Sequence, residues 1–154
     1  MPPLKQKHPS VVVFDLGGVV FNWQPLVLLQ QVLPHHAPDE ASASDLSARI
    51  FQTLDVDGDW AQFDLGHIEP DELATRIARR TGLARQDVMT VIDALAPHMT
   101  VKTDTVELMR DLRDQGHRLV YLSNMPNGLA DWIERDHDFF QWFDGGVFSA
   151  RVQQ

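Results

Sequence analysis

Two places in this sequence set groups able to do chemistry directly after runs of β-forming apolar residues. Asp15 follows "VVVF" (11–14) and is itself followed by Leu16, Gly17 and Gly18, while Ser123 and Asn124 follow "LVYL" (119–122). A carboxylate at the end of a buried strand is a poor choice for folding alone, because burial penalises its charge. It suits a group that reacts or holds a cation, and glycines beside it let a ligand approach bare backbone. In an open parallel sheet, ligands sit outside the carboxyl ends of the strands, so these two strand ends would share one crevice. The alternative for each is local: Asp15 closing a turn, and Ser123 capping the helix that begins near Pro126.

The elements that must position these groups follow from pattern and punctuation. Val11 to Phe14 is a continuous apolar run with three β-branched residues, the signature of a strand buried on both faces. Residues 1–9 read as a polar, proline-containing tail. From Pro25 to about His98 the period becomes helical, with helices expected at Pro25–Leu33, Asp39–Gln52, Pro70–Thr81 and Arg85–Leu95. Pro70 fits a first helical turn, Asp71 and Glu72 favour the positive end of the helix dipole, and Gly82 fits the residue after the helix end. "TDTVELMRDLRDQG" then reads as an amphipathic helix, with Asp104 and Glu107 spaced as a capping box and Val106, Met109 and Leu112 on one face. A second strand in "HRLVYLSN", a helix over about 126–135 and a third strand near Gly146–Ser149 complete the order. Strand, helical insert, helix, strand, helix, strand implies a parallel α/β sheet with right-handed crossovers. An insert of roughly 75 residues is too long for a loop and reads as a helical subdomain.

Composition narrows the classes. The chain has 154 residues, 44% hydrophobic and 23% charged, the balance of a globular domain. A net charge of −9 argues against a nucleic-acid partner, which needs a basic face. It also means that an anionic ligand would need a metal ion, a helix N-terminus or oriented backbone N–H groups. With no cysteine, disulfides and thiolate metal sites are excluded, in keeping with a cytoplasmic location. No apolar stretch approaches the roughly 20 residues of a membrane helix, so no membrane partner is expected.

With both motifs in place, the sequence resembles the haloacid dehalogenase-like (HAD) hydrolases. "VVVFDLGGVVFNW" is similar to their first motif and "LVYLSNMPNG" to their second, and the insert is similar to their helical cap. Within the insert, "FDLGHIEPDEL" resembles the cap of the phosphatase subgroup that includes bacterial α-D-glucose-1-phosphate phosphatase. The resemblance implies a Rossmann-like parallel sheet over residues 10–22 and 100–154 with an α-helical cap over 23–99. It implies hydrolysis of a small phosphorylated metabolite, with Asp15 as nucleophile forming an aspartyl-phosphate. Asp15 and the carbonyl of Gly17 would hold Mg²⁺, and Leu16, Gly17, Ser123 and Asn124 would bind the phosphoryl oxygens.

Two departures from the family pattern carry consequences. Gly17 stands where many relatives have a second aspartate as general acid–base, although the nearest subgroup also has glycine there. A sugar 1-phosphate, whose anomeric oxygen leaves readily, would suit such a site. The chain also ends at "FSARVQQ", before the family's motif-three lysine and acidic motif four. It therefore reads as a C-terminally incomplete core whose Val11–Phe14 edge is open to self-association. Two other readings stand beside this one: carbon–halogen hydrolysis, which uses an aspartate nucleophile without metal, and a non-catalytic fragment or binding protein.

Other features read as structural. In "DVDGD" (55–59), the glycine falls at the fourth position of an EF-hand register and Gly66 at the twelfth, so a solvated loop is expected rather than a calcium site. The seven histidines lack metal-ligand spacing, and Arg76, Arg79 and Arg80 read as a solvated helix face. The four tryptophans read as packing residues, with Trp23 and Trp60 as the two placed to face a substrate cleft between cap and core.

Overall fold

A computed structural model describes residues 8–153; most of the expected tail at 1–9 lies outside the described residues. Three parallel strands, β1 (Val11–Phe14), β2 (Arg118–Ser123) and β3 (Phe143–Phe148), form one sheet in the order β1-β2-β3. Val13 pairs with Val120 and Phe14 with Tyr121, while Leu122 pairs with Val147 and Ser123 with Phe148. This register brings the ends of β1 and β2 side by side, as the two motifs require.

Between β1 and β2 the chain forms α1 (Pro25–Val32), α2 (Glu40–Phe51), α3 (Asp59–Asp64), α4 (Pro70–Thr81), α5 (Arg85–Asp93), the short α6 (Leu95–His98) and α7 (Thr103–Asp114). After β2 come α8 (Asn127–Asp136), a 3-10 turn at Asp138–Trp142, and α9 (Ser149–Val152) after β3. Asp39 caps α2, accepting the Ser42 N–H at 2.7 Å, and those hydrogen bonds hold its carboxyl below its usual pKa. Gly82 ends α4 in the left-handed region at φ 78°, where an L-residue would be strained.

Two apolar clusters result. Leu28, Leu46, Ile50, Leu73, Ile77, Val88 and their neighbours build one among α1–α6; Phe14, Leu16, Phe21, Met109, Leu119, Ile133 and Phe148 build the other around the sheet. Trp23 packs against both. The crossing between them is a pair of extended segments, with the Asn22 N–H donating to the Thr100 carbonyl at 2.7 Å and the Lys102 N–H to the Val20 carbonyl at 2.8 Å. His98 secures the same point by accepting the Gln24 N–H at its Nε2, and burial pushes its pKa down, favouring the neutral ring that this bond needs.

Three local expectations need correcting. The sheet is covered on one face only: Phe14, Leu119 and Phe148 are buried, but Val11 and Val13 are about 60% exposed, as is Leu122. The expected Arg85–Leu95 helix breaks at Ala94 into α5 and α6. No capping box forms on α7, whose N-cap is Lys102; the Asp104 carboxylate instead accepts the N–H of Thr105. Among the described residues, no helix is long and apolar enough to cross a membrane.

Candidate active site

β1 delivers Asp15 to the carboxyl edge of the sheet, and the chain then turns sharply. The Leu16 carbonyl accepts the N–H groups of Val19, Val20 and Phe21 at 2.9–3.2 Å, and Gly18 sits at φ 79°. That conformation explains Gly18. Gly17 has a different reason, because a Cβ there would meet only Met99 Cε at 3.9 Å. The protein itself has room for a side chain at 17, so its bareness serves the space beside it.

Asp15 is exposed, and its Oδ1 accepts the N–H of Leu16 at 2.7 Å. One carboxylate oxygen is thus oriented by backbone. Leu16 itself is fully buried, and of the expected site residues it contributes backbone alone.

β2 ends at Ser123, which is buried, followed by exposed Asn124. α8 begins at Asn127 with Pro126 at its N-cap and no side-chain cap, so Ser123 is not used as a helix cap. Instead Ser123 and Asn124 line one cavity of about 720 Å³ together with Asp15 and Gly17. The helical insert contributes Trp23, Phe51, Trp60, Asp55 and Asp64 to the same lining. Trp23, Phe51 and Trp60 form an edge-to-face series, with centroids 5.5 and 4.5 Å apart. Both tryptophans expected at a cleft therefore line it while also packing within the insert.

Asp64 and Ser149 line the same cavity and were not singled out from sequence. Ser149 Oγ donates to the Asp64 carbonyl at 2.5 Å and accepts the Met125 N–H at 3.0 Å. One hydroxyl thus ties the end of α3 to the loop that follows Ser123. Two residues on, Gly66 has φ 73°, and a Cβ there would lie 2.8 Å from the Ala150 carbonyl oxygen. Only glycine lets the insert approach the sheet layer this closely. The sequence signal was the "FDLG" of residues 63–66, but its partner Ser149 lies 85 residues away.

The cavity is acidic. Asp15, Asp55 and Asp64 line it, and no lysine or arginine does among the described residues. The Asp64 carboxyl is partly buried, and that burial, with no compensating hydrogen bond or cation, pushes its pKa up to about 7. For a hard cation the chain offers oxygen donors at the Asp15 carboxylate and the Gly17 carbonyl. Among the described residues no group of three or more acidic or histidine side chains gathers to hold a metal. Two protein oxygens fit Mg²⁺, which keeps several waters and takes further oxygens from a substrate phosphate.

No family model matches the sequence. The chain is 27% identical over 144 residues to the sesquiterpene phosphatase astK of Aspergillus oryzae, covering 94% of this chain and spanning 65% of that protein's length. Among solved structures, a HAD family enzyme of Bacteroides thetaiotaomicron in complex with magnesium and inorganic phosphate aligns at a TM-score of 0.64 and 17% identity, over 95% of this chain and 71% of that one. A dehalogenase aligns at 0.60 and 18% identity, over 96% and 65%. The fold of this chain is therefore similar to that of the haloacid dehalogenase-like hydrolases, whose first two motifs its two strand ends resemble.

Proposed function

We propose that this chain carries the Mg²⁺-dependent phosphomonoester hydrolase site of a HAD phosphatase, acting on a small phosphorylated metabolite. One observation carries the reading: Asp15 from β1 and Ser123 and Asn124 from β2 line a single cavity that holds carboxylates and no cationic side chain among the described residues. A phosphate dianion is repelled by such a lining unless a metal neutralises it. Asp15 and the Gly17 carbonyl would hold Mg²⁺, which when bound supplies the charge that the phosphoryl oxygens need.

The chain's own groups divide the remaining work. Asp15 attacks phosphorus and forms an aspartyl-phosphate, while the ester oxygen leaves with its bonding electrons; water then attacks the same phosphorus and restores the carboxylate. The Leu16 N–H orients the carboxylate for attack. The Ser123 hydroxyl and the Asn124 amide donate to phosphoryl oxygens, which carry more charge in the transition state than in the ground state. The helical insert acts as a cap over 23–99, whose Trp23 and Trp60 select the organic part of the substrate.

A sugar phosphate fits the missing acid at Gly17, because an anomeric oxygen leaves with little protonation. A terpenoid phosphate is favoured instead by the aromatic wall of Trp23, Phe51 and Trp60 and by the likeness to the sesquiterpene phosphatase of Aspergillus oryzae. A cytoplasmic location and self-association through the open edge of β1 belong to the same proposal.

The test is phosphate release from a panel of sugar and terpenoid phosphates, with and without Mg²⁺, beside Asp15→Asn. Metal-dependent release that disappears in the variant is expected. Metal-independent halide release from a haloacid would establish the dehalogenase reading instead, and neither activity would identify a non-catalytic fragment or binding protein.

A further inference from the structure

Gly17 leaves the phosphatase chemistry without a general acid, yet the cavity holds a second carboxyl group that the steps above do not use. Asp64 ends α3 and lines the same cavity as Asp15, Ser123 and Asn124. Its position is fixed from two sides. Its carbonyl takes the Ser149 hydroxyl, which also takes the Met125 N–H, so the backbone of Asp64 stands two hydrogen bonds from the loop bearing Ser123 and Asn124. Gly66, pressed against Ala150, seats the turn after it. Both attachments use backbone or a neighbouring residue, which leaves the Asp64 carboxyl itself without a structural task.

Resting on the phosphatase reading, we propose that the Asp64 carboxyl is the general acid–base of this site, supplied from the helical insert in place of the acid absent at Gly17. In the first step Asp15 Oδ2 bonds to phosphorus as the phosphorus–ester oxygen bond breaks. The bonding electrons go to the ester oxygen, and Asp64 gives that oxygen its proton, so that a neutral alcohol leaves. In the second step Asp64, now a carboxylate, takes a proton from water as the water oxygen bonds to phosphorus. The bond from phosphorus to Asp15 breaks, its electrons return to the Asp15 carboxylate, and phosphate and protonated Asp64 remain. A structural carboxylate would be expected to hold an N–H or a cation; this one is enclosed with neither, and its pKa is pushed up to about 7, where it can both give and take a proton. The other titratable groups lining the cavity are Asp15 and Asp55, both acidic, so among the described residues no cationic side chain lining it opposes the effect of burial.

The test compares two leaving groups in the intact chain with Mg²⁺: 4-nitrophenyl phosphate, whose phenolate departs unaided, and a primary alkyl phosphate, whose alkoxide does not. In Asp64→Asn the alkyl ester should slow by roughly 10²–10⁴-fold and the nitrophenyl ester by less than about tenfold. Introducing Gly17→Asp into that variant, at a position with room for a side chain, should restore part of the alkyl-ester rate. Equal losses on the two esters, or an undiminished alkyl rate, would overturn the proposal. If the wild type releases phosphate from neither ester, or releases it equally in Asp15→Asn, the phosphatase reading itself fails and Asp64 falls with it.

Discussion

The seam between α3 and the end of β3 yields a prediction whose size can be worked out from two glycines. Gly66 and Gly82 have nearly the same backbone, φ 73° and 78°, so replacing either by alanine carries the same left-handed penalty of about 1–2 kcal/mol. The stiffer unfolded chain offsets about 0.4–1 kcal/mol of it in both. The surroundings differ. A Cβ at 82 meets nothing within 4 Å, whereas at 66 it meets the Ala150 carbonyl oxygen at 2.8 Å, Asn127 Nδ2 at 3.2 Å and Ala150 Cα at 3.3 Å. The closest of these is backbone and cannot swing away, so the overpacking adds about 1–3 kcal/mol. Gly66→Ala should therefore be less stable than Gly82→Ala by about 2 kcal/mol, or about 4–8 °C in melting temperature for a domain of this size. Parallel urea and thermal unfolding of the two variants measures this. Equal losses would refute the close approach of the insert to Ala150, and with it the anchoring of Asp64 beside the cavity.

Two further outcomes follow from the same structure. Asp64 has a folded-state pKa of about 7, above its unfolded value, so between about pH 4 and 7 the unfolded chain gives up this proton while the folded one keeps it. Its contribution to stability is thus full below that window and is lost as pH rises through it; urea unfolding at about pH 5 and 8 should show Asp64→Asn gaining on the wild type at the higher pH, and a pH-independent difference would contradict the burial. Val13 is 61% exposed on the open edge strand, so Val13→Lys should weaken any concentration-dependent association measured by light scattering, and an unchanged association would place the contact elsewhere.

What the sequence made legible was what local pattern encodes. Pro70 and Gly82 bracket α4 as observed, and the two strand ends could be read because "VVVF" and "LVYL" each run into a polar residue. The order of motifs indicated neighbouring parallel strands, and β1 and β2 do pair in parallel. The remainder depends on distance in the chain. α3 spans six residues, too few for a periodic signal, and follows an acidic stretch that reads as loop. The seating of Asp64 rests on a hydroxyl 85 residues away, which no local window contains. An apolar β-branched run cannot by itself reveal whether one sheet face or both are covered, which is why Val11 and Val13 were expected inside. Asp104 and Glu107 have capping-box spacing, but α7 starts two residues too early for Asp104 to occupy the cap.

The account stands most directly on Asp15 as a metal-dependent nucleophile toward phosphorus. Rapid acid quenching during turnover of a phosphate monoester, followed by peptide mass spectrometry, reads this without relying on overall rate. A phosphoryl group on the peptide containing Asp15, formed with Mg²⁺ and absent both with a chelator and in Asp15→Asn, is the predicted result. Phosphate release with no such adduct at any quench time, or an adduct on another residue, would contradict it.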